Sequence, residues 1–92
     1  MPKSTASVTT EHASRYLQQL CKHWSHKFAV EFSPTEGRID LVESRVVDLH
    51  ADDRTLTVNV EAEDLERMEQ VVVDHIVRFA FREELKFEWR PT

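Results

Sequence analysis

Residues 11–27, EHASRYLQQLCKHWSHK, hold the single cysteine of the chain and three of its five histidines. Two chemistries are open to such a cluster. Neutral imidazoles bind divalent transition metals, and His23 and His26 stand three residues apart, close enough on a helix to share a ligand. A cysteine is a nucleophile when a base and an oxyanion site accompany it. Geometry restricts both readings. At 100° per residue, His12, Arg15, Gln19, His23 and His26 fall within an arc of about 80°, while Cys21 points about 160° away from His23. The C-x-H-x-x-H string is therefore a metal motif in letters more than in space. A metal site wants three or four ligands, so His23 and His26 need a third from Glu83, Glu84 or His75. Cys21 sits beside Leu20 and Trp24 and reads as a small core hydrophobe. Otherwise the stretch is a solvated, histidine-rich helix flank.

The remaining candidates are weaker. Glu83 and Glu84 are adjacent, and adjacent carboxylates seldom face one cleft. The turn at residues 82–84 is expected to meet the histidine flank and to pair with His26 or Lys27. Trp24 and Trp89 fall on apolar stripes and read as core. With one glycine in the chain there is no phosphate-cradling loop. No serine-centred elbow occurs. These features describe a domain without a reaction of its own and without a cofactor.

The elements that must position these residues follow from periodicity. Ala13, Tyr16, Leu17, Leu20, Trp24 and Phe28 recur at helical spacing, so a helix is expected through residues 11–27, capped by Thr9 or Thr10. Leu65, Met68, Val72, Ile76 and Phe79 mark a second helix from residue 63 to about 81. Strict alternation marks strands at residues 4–10, 28–32, 38–42, 46–51, 56–61 and 85–90. Their inward residues include Ala6, Val8, Phe28, Val30, Phe32, Ile39, Leu41, Val47, Leu49, Leu56, Val58 and Val60. Residues 33–37, with Pro34 and Gly37, read as a turn, as do 43–45 and 52–54. The order β-α-β-β-β-β-α-β, with one apolar face on every element, gives an α+β two-layer sandwich. One antiparallel sheet of about six strands carries both helices on one face. The outer sheet face is polar and mixed in sign. Residues 8–11 align with 60–63 and superpose Arg15 on Arg67, Gln18 on Gln70 and His23 on His75. This match reads as coincidence among common surface residues; a true repeat would make a pseudo-twofold domain.

Bulk properties set the class. A chain of 92 residues is one domain, residues 1–92, with a loose terminus at 1–3. The net charge of −5 disfavours nucleic acid and anionic membrane as partners. One cysteine makes no internal disulfide, which suits the cytoplasm. No apolar run approaches the roughly 18 residues of a membrane span. The outer strands offer edges for a protein partner or for a second copy in a homodimer.

Four blocks of residues carry a resemblance. They are Ser14-Arg15-Tyr16-Leu17-x-x-Leu20-Cys21-Lys22-His23-Trp24-x-His26-Lys27, Gly37-Arg38-Ile39-Asp40, Val60-Glu61-Ala62-Glu63-Asp64, and Arg78-Phe79-Ala80-Phe81-Arg82-Glu83-Glu84-Leu85. In order and spacing, nearly the whole chain is similar to the bacterial domain of unknown function twenty-two-eighteen, a family of small uncharacterised proteins. Similar domains occur fused to siderophore-interacting flavin reductases. The resemblance thus implies an accessory, non-enzymatic role near iron or siderophore handling. It transfers no catalytic residues. It draws attention to Arg15, His23, His26, Lys27, Arg82 and Glu83 as a shared functional surface. The alternative is a small-ligand or transition-metal-binding domain that uses the His23 and His26 flank.

Overall fold

A computed structural model describes residues 2–92. The chain runs β1 (Lys3–Thr9), α1 (Ala13–Trp24), β2 (Ala29–Phe32), β3 (Glu36–Leu41), β4 (Arg45–Ala51), β5 (Thr55–Glu61), α2 (Leu65–Phe79) and β6 (Arg90–Pro91). The six strands form one antiparallel sheet in the order β2-β3-β4-β5-β1-β6. Alternation places Ala6, Val8, Ile39, Leu41, Val47, Leu49, Leu56, Val58 and Val60 on the inner face. Leu17, Leu20, Cys21 and Trp24 of α1 and Met68, Val72 and Ile76 of α2 close onto them as one cluster. Burial of each large aliphatic side chain is worth about 1.5–3 kcal/mol, so this layer dominates stability. Both helices lie on that face, as the α+β sandwich requires. The outer face is polar: Arg38 opposes Asp48 at 3.2 Å, and Glu36 opposes His50 at 2.6 Å.

Several boundaries depart from the periodic reading. Gly37 lies within β3 and is buried. A Cβ there would stand 2.8 Å from Cys21 Sγ and 3.2 Å from Leu17 Cδ2, so the missing side chain lets α1 approach the sheet. The turn before it is built by Ser33, whose amide donates to the Glu36 carbonyl at 2.7 Å and whose hydroxyl accepts from the Glu36 amide at 3.2 Å. Phe32 is 38 % exposed, because β2 is the sheet edge and lacks an outer neighbour. The last strand shrinks to Arg90–Pro91, paired with Thr5 and Ser4. Leu85, Phe87 and Trp89 still turn inward and are half-buried, but their backbone joins no ladder. The terminus is tied rather than loose: Lys3 pairs with Glu61, and Pro2 O accepts from the Ala62 amide at 3.1 Å. Met1 lies outside the described residues.

α1 stops at Trp24, three residues short of the expected end. The Ser25 hydroxyl donates to the Lys22 carbonyl, and the Lys27 and Phe28 amides both donate to Trp24 O. His26 and Lys27 therefore sit on a turn. At the other end His12 takes the cap position, and its amide donates to Thr10 Oγ1 at 3.0 Å. Asp64 caps α2 without a side-chain bond, since its carboxylate is turned onto Arg45.

The sequence match between the two halves extends to the element boundaries. β1 and β5 begin at Lys3 and Thr55, and α1 and α2 begin at Ala13 and Leu65, a constant offset of 52. In the β1–β5 ladder Ala6 pairs with its own counterpart Val58. His23 meets its counterpart His75 with ring centroids 5.2 Å apart. The correspondence stops at the packing: α1 lies across β2, β3, β4 and β5, whereas α2 packs chiefly on β5.

Candidate functional site

A half-open groove of about 730 Å³ lies where the end of α1 meets the beginning of α2 and the β3–β4 turn. A volume of that size suits a small organic ligand. The stop of α1 at Trp24 creates one wall, from Trp24 and Phe28, and carries His23, His26 and Lys27 to the rim. α2 supplies Arg67, Met68, Val71 and His75, and the turn supplies Leu41, Val42, Glu43 and Arg45. The turn is held in left-handed backbone by two non-glycine residues, Glu43 at φ 64° and Ser44 at φ 62°.

The floor and rim differ in chemistry. Trp24, Leu41 and Met68 are buried and apolar. Arg45 grips Asp64 with two hydrogen bonds, Nε to Oδ1 at 3.0 Å and Nη2 to Oδ2 at 2.7 Å, and Glu43 approaches the same guanidinium at 3.4 Å. This fork clamps the turn to the start of α2. The guanidinium holds the Asp64 carboxyl below the usual carboxylate range. Both carboxylates of the groove are therefore turned onto Arg45. Lys27 and Arg67 form no ion pair among the described residues.

His75 is the most constrained imidazole. Its ring lies 5.0 Å from Trp24 and 5.2 Å from His23, centroid to centroid. Its Nδ1 is 2.7 Å from the Val71 carbonyl, which only accepts, so Nδ1 carries the proton. In the neutral ring Nε2 is then left as an acceptor. His23 also packs edge-on to Phe79.

The residues singled out from the sequence divide into two groups. His23, His26 and Lys27 come together in the groove, joined by His75. Arg15, Arg82 and Glu83 do not. Glu83 sits at the opposite end of α1, where Oε1 and Oε2 accept from the Thr10 hydroxyl at 2.9 and 3.0 Å and Oε2 also accepts from the Tyr16 hydroxyl. Burial, then the hydrogen bond to Glu83, pushes the Tyr16 phenol up to about 12. Arg82 lies over the Phe81 ring, 5.2 Å from its centroid. The turn at residues 82–84 thus anchors the start of α1 and leaves the histidine flank free. No group of three or more His, Cys, Asp or Glu among the described residues is placed to hold a metal ion. Cys21 is fully buried under Gly37, and burial pushes its thiol up to about 11, far from a reactive thiolate.

Arg45, Asp64, Arg67 and Val71 were not distinguishable as site residues by spacing. The superposition of Arg15 on Arg67, read as coincidence, is the one signal for Arg67, and it does not reach Arg45, Asp64 or Val71.

No helix among the described residues is long and apolar enough to cross a membrane. No functionally curated protein matches the chain. The NMR structure of PA4090 from Pseudomonas aeruginosa is similar, with 40 % sequence identity over 98 % of this chain and 96 % of that one and a TM-score of 0.81. The model of the family described as "Uncharacterized protein conserved in bacteria (DUF2218)" matches residues 5–90. That span contains both helices, β2 to β5 and the whole lining of the groove, and the chain belongs to this bacterial family of uncharacterised proteins.

Proposed function

We propose that this chain is a binding domain without a reaction of its own, acting as an accessory to another protein, and that it receives its ligand in the groove between α1 and α2. The observation that carries the reading is the composition of that groove. An apolar floor of Trp24, Leu41 and Met68 lies under a rim of Lys27, Arg67 and three imidazoles. Apolar walls with a few placed polar groups are what small-molecule sites are made of. The buried Cys21 with its raised pKa, and the use of Glu83 to anchor α1, speak against the two sequence features that resembled catalytic groups. The accessory role near iron or siderophore handling rests on the family resemblance. It is tested by transcript response to iron limitation.

Groove occupancy is tested directly with a fragment library screened by ligand-observed NMR. Val71 is half-buried on the α2 wall. Val71→Trp, its fold checked by an amide spectrum, fills the groove from that side. Hits that bind wild type and vanish in the variant support the reading. Hits that persist unchanged place binding elsewhere and refute it.

A further inference from the structure

We infer that the groove is selective for a small organic anion, a carboxylate carried on a flat apolar body, with Lys27 and Arg67 meeting the carboxylate and Trp24, Phe28 and Met68 meeting the body. This deepens the groove reading above and rests on it.

Charge is the first argument. The chain carries a net charge of −5. Within the groove, however, both carboxylates lie against Arg45, at 2.7 Å from Asp64 and 3.4 Å from Glu43. Lys27 and Arg67 remain as unpaired cations among the described residues, on the rim of a recess walled by aromatic and thioether side chains. A cationic ligand would meet no unspent carboxylate there. A neutral apolar ligand would leave both cations unused.

The offset of 52 residues between β1-α1 and β5-α2 points the same way. The offset of 52 that relates His23 to His75 relates Arg15 to Arg67, Tyr16 to Met68 and Thr10 to Ala62. At the start of α1 a carboxylate is already in place. Glu83, delivered by the segment after α2, accepts from Tyr16 on α1 and from Thr10 just before it. At the start of α2 the corresponding positions are Met68 and Ala62, an apolar thioether and a methyl group, so the two hydroxyls that hold Glu83 have no counterpart there. One half of the molecule carries its carboxylate in its own chain. The other half has the cations and an apolar recess in front of them. The Trp24 and His75 rings, with centroids 5.0 Å apart and planes tilted by 57°, give the recess aromatic surface against which the edge or face of a ring can pack.

The test uses three probes of one shape and different charge: 2-naphthoate, 2-naphthylmethanol and 2-naphthylmethylammonium, each titrated into the full chain with amide shifts recorded. We expect 2-naphthoate to move the amides of Arg67, Met68, Val71 and His75, with affinity about three- to tenfold above the alcohol and the ammonium probe weakest, the gap narrowing with added salt. Lys27 and Arg67 are exposed, so Lys27→Ala and Arg67→Ala leave the core intact; each should bring naphthoate toward the affinity of the alcohol. If alcohol or ammonium binds the groove as tightly as naphthoate, or if both variants leave naphthoate unchanged, the anion assignment is overturned while the groove stands. If no probe moves the groove amides, the groove reading falls and this inference with it.

Discussion

Replacing Gly37 with alanine adds one methyl group beneath α1, and its sign tests how closely that helix lies on the sheet. Gly37 does not have a positive φ. In an ordinary strand interior the change would stabilise the protein by about 0.5–1 kcal/mol, through reduced freedom of the unfolded chain. Here the new Cβ would stand 2.8 Å from Cys21 Sγ and 3.2 Å from Leu17 Cδ2. Both side chains are fully buried, so neither swings into solvent to make room. Overpacking of this kind costs about 1–3 kcal/mol. The net expectation is destabilisation of about 1–2 kcal/mol, a drop in Tm of roughly 5–15 °C for a domain of this size. Urea unfolding followed by tryptophan fluorescence measures it, with the slope unchanged. Cys21→Ala removes the nearest atom and leaves room for the methyl group. The double variant should therefore be less destabilised than the sum of the singles by about 1 kcal/mol. A Gly37→Ala protein as stable as wild type would refute the close approach of α1. So would a double variant additive within about 0.5 kcal/mol.

Tyr16 is the sole tyrosine, so its ionisation is read without assignment by ultraviolet absorbance. It should titrate near 12 rather than 10. A proton held more tightly in the folded state stabilises it fully below pH 10, and that contribution is lost as pH rises from 10 to about 12. Tyr16→Phe, which leaves Glu83 with Thr10 alone, should cost about 1–2 kcal/mol in urea unfolding at neutral pH. Asp64 works in the opposite direction. Its folded pKa lies below 3.8, so its contribution is full above that value and fades as pH falls through the lowered pKa. The stability difference between wild type and Asp64→Asn should accordingly be flat at neutral pH and shrink in acid. Ser44→Gly relieves a left-handed residue at φ 62° and should raise stability by up to about 1 kcal/mol in a thermal melt.

The meander was legible because four strands in a row keep period-two alternation, and each apolar side chain so marked is on the inner face except at the sheet edge. Phe32 broke the pattern because burial at an edge depends on a neighbour the local sequence does not encode. Residues 85–90 alternate as a strand does and turn inward as one does, yet ladder hydrogen bonds depend on the position of β1. Gly37 shows a different failure. A glycine three residues after a proline reads as part of a turn, whereas here it serves contact with Cys21, sixteen residues earlier in the chain. The site was half legible. His23, His26 and Lys27 stood out by type and spacing. Arg67, Met68 and His75 join them only because α2 packs against the end of α1, a contact between segments some forty to fifty residues apart. Glu83 was sorted with the wrong face because its partners, Tyr16 and Thr10, lie more than sixty residues away.

The five histidines report most directly on whether the groove is the binding site. His23, His26 and His75 line the groove, while His12 lies at the start of α1 and His50 on the outer face of β4. Side-chain imidazole spectra of histidine-labelled protein, recorded while 2-naphthoate is added, report all five positions at once. The signals of His23, His26 and His75 should move together along one binding curve while those of His12 and His50 stay fixed. Movement led by His12 or His50, or none at His75, would contradict binding in the groove.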